Sequence, residues 1–397
     1  MVGIGERVAA YRRRRGLSQV TLAGLVGRSE SWLSQVERGR RDIDSLTVIR
    51  HLAVALEVPA DALIGVDLPA PAHGAGHAAT GALRAYVDGY HQLLTAPQTP
   101  DTTAAELLAA AEELNGSYQA ARYDEALTRC PPLLAAVDAL THTRVGPAEV
   151  HAYVSLYVVA AKILHRIGES RLAALAADRA ATMAARPGAT GLDRGLAARE
   201  VVGGLLYTGQ TPAAEALAVD MAASLETDPD ANTPDLVSLR GSLLLLAAVI
   251  GARRTDRHAA LDRLNQAEQL ATRLGHDGNH AWTAFGPTNV AIHAVSIAAE
   301  LGDAGEAIRL SHQVDPADLP SGLVGRRAQL HLDLAWACTQ QRRDAEAVLQ
   351  LLEAEHLAPQ LIRFNPVVRD TITDLLGRSR GTTGILHDLA IRAGVLT

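Results

Sequence analysis

The chain has 397 residues, which is too long for one small hydrophobic core and favours a small domain joined to a larger domain or a repeat array. Hydrophobic residues make up 48% of the sequence and charged residues 20%, which argues against long disordered stretches. The net charge is −7, and the two cysteines, Cys130 and Cys338, have no metal-like spacing, so we expect neither a disulfide framework nor a cysteine metal site.

The composition predicts an all-α fold. Aromatic residues are only 3% of the chain, so the core must be built mainly from alanine, leucine and valine, and the first two are strong helix formers. The N-terminus lacks the apolar segment of a secretory signal, and the longest apolar run, residues 243–252, is far shorter than the ~20 residues that span a bilayer. We therefore expect a cytoplasmic protein without membrane contact.

Residues 4–64 predict five short helices. The first ends at Gly16, and Ser18 precedes the second at the position of a hydrogen-bonding cap. Gly27 and Gly39 end the second and third helices, as glycine does where the backbone must become left-handed. In order, the five segments are IGERVAAYRRRR, QVTLAGLV, SESWLSQVE, SLTVIRHLAVAL and PADALI.

Charge is distributed unevenly between the two parts of the chain. Residues 1–66, which we call the head, contain ten arginines and seven acidic residues, a balance of +3. The remainder carries 27 basic and 37 acidic residues, a balance of −10. A mildly basic head on an acidic body is consistent with a head that approaches phosphates.

The third predicted helix is amphipathic. Leu33 and Val36 share one face, which we expect to pack against the second helix. Opposite them lie Ser31, Gln35 and Arg38, which form a short polar stripe. Short side chains let a helix lie deep in a DNA groove, and glutamine can form two hydrogen bonds with a base edge.

The segment from Val8 to Ile64 carries a recognisable set of motifs. These are Leu17-Ser18-Gln19 at the start of the second helix, Ala23, Gly27, and Glu37-Arg38-Gly39-Arg40-Arg41 at the end of the third. The set resembles the helix-turn-helix of lambda-type phage repressors, the XRE family of bacterial regulators. The resemblance implies a lambda repressor-like five-helix DNA-binding domain in residues 1–66.

The same resemblance implies roles for individual side chains. Gln19 would contact a phosphate at the start of the second helix. Glu30 has two open interpretations, acceptance from a cytosine amino group or pairing with an arginine, and Trp32 would pack on the head or contact the DNA backbone. The implied DNA-binding set contains side chains that would read bases and side chains that would contact phosphates: Gln19, Arg28, Ser29, Glu30, Ser31, Ser34, Gln35, Arg38 and Arg40.

Beyond the head, the sequence predicts a linker and then a helical repeat. Residues 67–80 are rich in proline, glycine and alanine, which is typical of a linker. Residues 81–397 repeat one pattern, two amphipathic helices joined by a tight turn, which predicts an α-solenoid with a concave side. Five such turns are visible, at Gly168, Gly209, Arg253, Gly302 and Arg342.

The segment from Trp282 to Pro359 resembles the tetratricopeptide-like (TPR-like) C-terminal halves of XRE regulators from high-GC Gram-positive bacteria. By analogy with peptide-responsive members, the resemblance implies a domain that dimerises and binds a peptide or small molecule. The first helix of each hairpin lines the concave side of such arrays. Candidate effector-binding residues on those helices are Tyr153, Tyr157, Arg199, Arg240, Asn289 and His293.

Other interpretations remain open for parts of this domain. Tyr157 and His293 are also explained as core residues with one satisfied hydrogen bond. The segment from His276 to Asn289 is either a functional loop at the groove or a long connection between repeats. Because Gly278 separates His276 from His280 and no third ligand follows, we expect no metal site.

Together these observations predict a sequence-specific transcriptional regulator. It would bind double-stranded operator DNA as a homodimer, with recognition helices roughly 34 Å apart. Effector binding would shift the relative placement of the two heads. No catalytic signature is present, so we expect neither an enzyme nor a cofactor. The alternative is a TPR-type protein–protein interaction scaffold without ligand sensing.

Overall fold

The computed structural model describes residues 4–14, 17–41, 43, 46–56, 63, 74–89, 102–143, 145–378 and 384–396. In these ranges the regular structure is helical throughout, which confirms the all-α prediction. The chain forms two compact units, Met1–His73 and Gly74–Thr397.

The first unit, the head, contains four described helices around one small core. Its core contains Val8, Leu22, Leu33 and Leu52, all fully buried. The fifth predicted helix lies outside the described residues except for Leu63, which is helical and buried. The helices are α1 (Ile4–Arg14), α2 (Gln19–Leu25), α3 (Glu30–Glu37) and α4 (Leu46–Leu56).

The predicted linker is wrong in its second half. The helix α5 begins at Gly74, so residues 74–80 are helical rather than irregular. The physical reason is their alanine content, because alanine is the best helix former, and Leu83 and Val87 then anchor the helix in the core of the second unit.

The second unit is built from helical hairpins. Its helices are α5 (Gly74–Asp88), α6 (Ala104–Gln119), α7 (Tyr123–Thr143), α8 (Pro147–Arg166), α9 (Ser170–Ala184), α10 (Gly191–Tyr207), α11 (Thr211–Glu226), α12 (Pro234–Arg253), α13 (Arg257–Leu274), α14 (Pro287–Glu300), α15 (Ala304–Ser311), α16 (Val324–Gln340), α17 (Asp344–Leu357), α18 (Pro359–Phe364), α19 (Pro366–Arg378) and α20 (Gly384–Arg392). Two short 3₁₀ turns, His280–Trp282 and Pro316–Asp318, lie in the connections.

Six hairpin turns share one backbone geometry. After α8, for example, Gly168 has φ of +85°, and the Glu169 N–H donates to the Leu164 carbonyl at 2.8 Å, which is the Schellman pattern. The five predicted turns are present, and a sixth precedes them. The left-handed residues are Ala121, Gly168, Gly209, Thr255, Gly302 and Arg342.

The first helices of successive hairpins stack side by side and form the centre of the second unit. In both α8 and α12, 15 of the 20 residues are buried. By length and composition α12 is apolar enough to cross a membrane, but 83% of its most apolar window is buried inside the unit, which is the pattern of a core helix.

The hairpin array of the second unit curls back on itself. The turn between α6 and α7 packs against the last repeats, where Tyr123 meets the ring of Phe364 edge-on with centroids 6.1 Å apart. The Asp124 N–H donates to Gln360 at 2.9 Å, and Arg363 pairs with the Asp124 carboxylate at 3.1 Å. This closing contact turns the predicted open concave side into the wall of a cavity.

Candidate nucleic-acid interface and effector cavity

The helix α3 of the head presents a polar row to solvent. Leu33 and Val36 are buried, as predicted, and they fix the rotation of the helix. Glu30, Ser31 and Gln35 are exposed on the other side, and Ser34 at its edge is half-buried. The row is long enough to follow a groove and contains donors and acceptors that base edges can pair with.

Two serine caps and one glycine set the turn between α2 and α3. Ser18 caps α2 by accepting from the Thr21 N–H at 3.0 Å, and Ser29 caps α3 by accepting from the Trp32 N–H at 3.2 Å. Gly27 has φ of +64°, which permits the sharp reversal between the helices. Ser29, predicted as a base reader, therefore uses one lone pair of its oxygen as a cap and retains its O–H and a second lone pair.

Gln19, predicted as a phosphate ligand, has a partner inside the head. Its amide donates to Glu37 at 2.7 Å, and Arg12 makes two hydrogen bonds to the same carboxylate, at 2.6 and 2.8 Å. One amide N–H of Gln19 remains for a phosphate. Burial raises the pKa of Glu37, but hydrogen bonds from Arg12 and Gln19 outweigh it and hold that pKa below its usual value. Sequence reasoning missed this three-residue network because Arg12 and Glu37 are far apart in the chain.

Exposed arginines flank the polar row. Arg28, Arg38 and Arg40 are exposed, and none of them forms an ion pair with another described residue. Arg28 lies over the ring of Trp32, 5.6 Å from its centroid, while Trp32 packs half-buried on the core of the head. This favours packing over backbone contact for Trp32. Glu30 likewise pairs with no described arginine, so its carboxylate stays available in the row.

The second unit contains a partly open cavity of about 910 Å³. As predicted, the first helices of the hairpins line it, namely α8, α10, α12, α14 and α16. The connection from residue 276 to 286, which we call the cavity loop, adds Trp282, Thr283 and Ala284 to the wall. The structure therefore places the unusual predicted segment at the groove, where it also joins two repeats.

The cavity loop has a strained backbone, and a tight contact with α12 holds it in place. Ala281, Trp282 and Ala284 all have positive φ, a conformation that ordinary residues adopt only where surrounding contacts enforce it. Phe285 is fully buried against Gly241 of α12, where any added Cβ would lie 2.0 Å from the ring. Glycine at that position is therefore what admits the phenyl ring and seats the loop.

Three of the six predicted effector residues line the cavity: Arg199, Asn289 and His293. The Nδ1–H of His293 donates to the Asn289 carbonyl at 2.8 Å. Burial and the nearby charge of Arg326 lower the pKa of His293 to about 3, so the ring is neutral. Asn289 is only 1% exposed.

The structure places Tyr153 and Tyr157, which were predicted to bind an effector, outside the cavity. They stack on each other with centroids 4.4 Å apart in the core formed by α5, α7 and α8, away from the cavity. Tyr157 is fully buried and donates to the Asp138 carboxylate at 2.9 Å, and the hydroxyl of Tyr86 donates to the same group at 2.5 Å. The alternative interpretation of Tyr157 as a core residue is the correct one.

Arg240 is the third predicted effector residue that lies outside the cavity wall. Its side chain is largely buried and pairs with Glu226 at 2.9 Å. The reason for the error is rotational: α12 is buried nearly all round, so helical position alone did not say which face meets the cavity.

Several cavity residues were not predicted from the sequence. Lys162, the only lysine of the chain, is 6% exposed; its Nζ lies 3.4 Å from the Trp282 carbonyl and 5.6 Å from the centre of its ring. Burial lowers the pKa of Lys162 to about 8. A single lysine inside an apolar helix was a visible signal for a functional position. The other unpredicted charged or aromatic side chains in the wall include Arg166, Trp282, Arg326 and Trp336.

Comparison with known proteins gives one family match and two similarities. The family model of a helix-turn-helix domain matches residues 4–63. An immunity repressor protein of Bacillus phage phi105 is 36% identical over 64 residues, which are 16% of this chain and 44% of the repressor, so the match spans less than half of that relative.

A solved structure aligns over a longer range at low similarity. The crystal structure of Bacillus thuringiensis PlcR in complex with the peptide PapR7 and DNA covers 86% of this chain and 99% of that chain, at 12% identity and a TM-score of 0.36. The match over residues 4–63 identifies the first unit as a helix-turn-helix domain.

Proposed function

We propose that this chain, a lambda repressor-like helix-turn-helix domain followed by a domain of helical hairpins, is a transcriptional regulator that binds operator DNA and responds to an effector. The observation that carries the DNA-binding part is the exposed row of α3, flanked by arginines without ion-pair partners among the described residues. Base edges would be read by Ser31 and Gln35, with Arg38 on the phosphate backbone.

The second unit would sense the effector. A partly open cavity of about 910 Å³, lined by polar and apolar side chains, has the size of small-ligand sites. The closing contact joins the first hairpin to the last repeats and shortens the accessible concave surface. This favours effector sensing over the scaffold alternative, because partner-binding solenoids use extended concave surfaces. We expect the effector to be a peptide or small molecule and the protein to act in the cytoplasm.

Dimerisation completes the proposed mechanism. Two heads on one operator would place two copies of α3 one helical turn of DNA apart, roughly 34 Å. An effector that binds one arrangement of the heads more tightly than another would shift occupancy of the operator. Mass measurement of the full chain in solution, alone and on DNA, tests the dimer directly.

The experiment that tests the function is genome-wide footprinting of the full-length protein in cells, with and without culture supernatant. We expect discrete sites with a common sequence and a change in occupancy when the effector is present. A Ser31→Ala/Gln35→Ala variant should lose these sites, whereas Gln269→Ala, an exposed change on α13, should keep them. Unchanged sites in the double variant would contradict the assigned reading face.

A further inference from the structure

We propose that the positively charged part of the cavity wall binds the free C-terminal carboxylate of a peptide, with Arg326 at the centre of the subsite. Lys162, Arg166 and Arg199 complete it. The inference rests on the proposed effector function and specifies the chemistry of the ligand.

The charge balance of the wall is the first observation. Five lysine and arginine side chains line the cavity, against two acidic ones, Glu300 and Asp333. Glu300 is paired with Arg253 at 2.8 Å. Asp333 accepts hydrogen bonds from Ser296 and from Gln329, the latter at 2.8 Å. The wall therefore carries more positive charge than its own carboxylates neutralise.

Arg326 is the wall cation whose charge is least compensated by the described carboxylates. It forms no ion pair with any carboxylate among the described residues. Burial and the positive charges of Arg199 and Arg166 lower its pKa to about 10, an unusual value for a guanidinium. Arg199 does have a partner, Glu200 at 2.8 Å, yet its Nε is buried without a hydrogen bond. An incoming anion would relieve the repulsion and supply the missing acceptors.

Asn289 provides the second, independent observation. It is 1% exposed and lines the cavity, and its Oδ1 is buried without a hydrogen-bond partner. Leaving such an acceptor unpaired costs about 1–3 kcal/mol, which a ligand N–H would recover. A ligand that brings both an anion and a neighbouring N–H matches the end of a peptide, where the last amide precedes the carboxylate.

The remaining wall is apolar and selects against a bare inorganic anion. Leu245, Leu246, Val249, Leu332 and Trp336 line it and would contact an aliphatic side chain. Inorganic phosphate would leave this apolar surface without a partner. A short peptide with an apolar last residue fits all three features together.

The test uses the full chain and two matched peptide pools. Both pools are N-acetylated tripeptides that end in leucine with the first two positions randomised, one made as free acids and the other as C-terminal amides. Trp282 and Trp336 line the cavity, so tryptophan fluorescence reports binding there. We expect the acid pool to change the emission and the amide pool to act only at roughly tenfold higher concentration or not at all.

Variants identify the residue responsible. Arg326→Gln removes a cation that has no ion-pair partner in the described part of the chain, so the fold should persist with an unchanged or raised melting temperature. The response to the acid pool should weaken by roughly tenfold or more. Arg273→Gln, an exposed change on α13, is the charge-matched control and should leave the response intact.

Four results would overturn the inference: no response to the acid pool, equal responses to acids and amides, an unchanged response in Arg326→Gln, or a response to inorganic phosphate equal to that of the acid pool. Operator binding is measured separately by footprinting, so failure of the carboxylate subsite leaves the proposed regulator function standing and the two outcomes are distinguishable.

Discussion

Glu37 is the side chain at which three helices of the head converge. It is the last residue of α3, and its carboxylate accepts hydrogen bonds from Arg12 of α1 and Gln19 of α2. The side chains of Glu37 and Arg12 are only 5% and 13% exposed, so the pair is shielded from screening by solvent. The orientation of α3, and therefore of its polar row, depends on this contact.

We predict that Glu37→Gln destabilises the head. The buried guanidinium of Arg12 would lose its charge partner, and breaking such a pair costs about 3 kcal/mol. In Glu37→Gln, hydrogen exchange measured on residues 4–63 of the full chain should be faster in α1 and α3. Glu346→Gln, which changes an exposed residue of α17, should leave exchange in the head unchanged. Unchanged exchange in Glu37→Gln would contradict the assigned role.

The same pair predicts a pH dependence. Because the pKa of Glu37 in the folded head lies below the usual value of 4.5, its contribution is fully present above that value and is lost as the pH falls through the lower folded pKa. The protection factors of the head, which correct for the intrinsic slowing of amide exchange in acid, should therefore fall below about pH 4.5 in the wild-type chain, a response that Glu37→Gln should lack. An equal acid response in both chains would exclude Glu37 as its source.

Two glycines of the head predict opposite effects of the same substitution. A Cβ on Gly5 of α1 would lie 1.9 Å from the Val36 carbonyl of α3, so Gly5→Ala forces the helices apart. Gly24 of α2 has open space around it, so Gly24→Ala should stabilise the head by about 0.5–1 kcal/mol through helix propensity. Hydrogen exchange of the head should separate the two variants; a stabilising Gly5→Ala would show that α1 does not pack on α3 as described.

Sequence periodicity was enough to predict which face of α3 is buried, because Leu33 and Val36 are three residues apart on the helix and polar residues occupy the opposite face. It failed for Tyr157 on α8 and Arg240 on α12, since those helices are buried nearly all round and their sequences contain no polar face to set the rotation. The Gln19–Glu37 hydrogen bond was invisible for another reason: it depends on how separate helices pack.

At the scale of elements, one left-handed turn joins the two helices of each of six hairpins. Glycine supplies that conformation at three of them, and these were readily predicted from the sequence. Ala121 takes the same conformation at the first turn, which also contains no glycine, and sequence reasoning missed that hairpin. The prediction of an irregular linker over residues 74–80 was wrong because alanines are compatible with a helix as well as with a flexible segment.

Thr255 is the most strained of these turn residues, because it is β-branched and has φ of +60°. Thr255→Gly should stabilise the second unit by about 1 kcal/mol by removing this cost, and Gly168→Ala should destabilise it by about as much. Denaturant unfolding followed by circular dichroism measures both. A destabilising Thr255→Gly would indicate that the threonine side chain contributes more than the strain costs.

At the scale of the second unit, the closing contact determines whether the ligand site is a groove or a cavity. Tyr123 is 1% exposed and touches both Tyr118 and Phe364, and the Gln119 amide donates to Asn279 of the cavity loop at 2.9 Å. The sequence predicted the repeats but not this closure, since it joins segments more than 150 residues apart.

We predict that Tyr123→Ala opens the cavity. Losing a buried aromatic side chain costs about 3–5 kcal/mol, and here the loss falls on the closing contact. Hydrogen exchange should accelerate in the α6–α7 turn, in α18 and in the cavity loop, and Phe364→Ala should give the same pattern. Leu261→Ala, which is exposed on α13, serves as the control. Uniform acceleration across the unit would mean general destabilisation and not local opening.

The central claim is that α3 reads DNA, and the most direct measurement is the affinity of the full chain for an operator taken from footprinting. Gln35→Ala should weaken binding by roughly tenfold, corresponding to the 1–3 kcal/mol of a base contact, and should lose discrimination at one base pair, while Gln269→Ala binds like the wild type. Equal affinity and unchanged base preference in Gln35→Ala would contradict the claim.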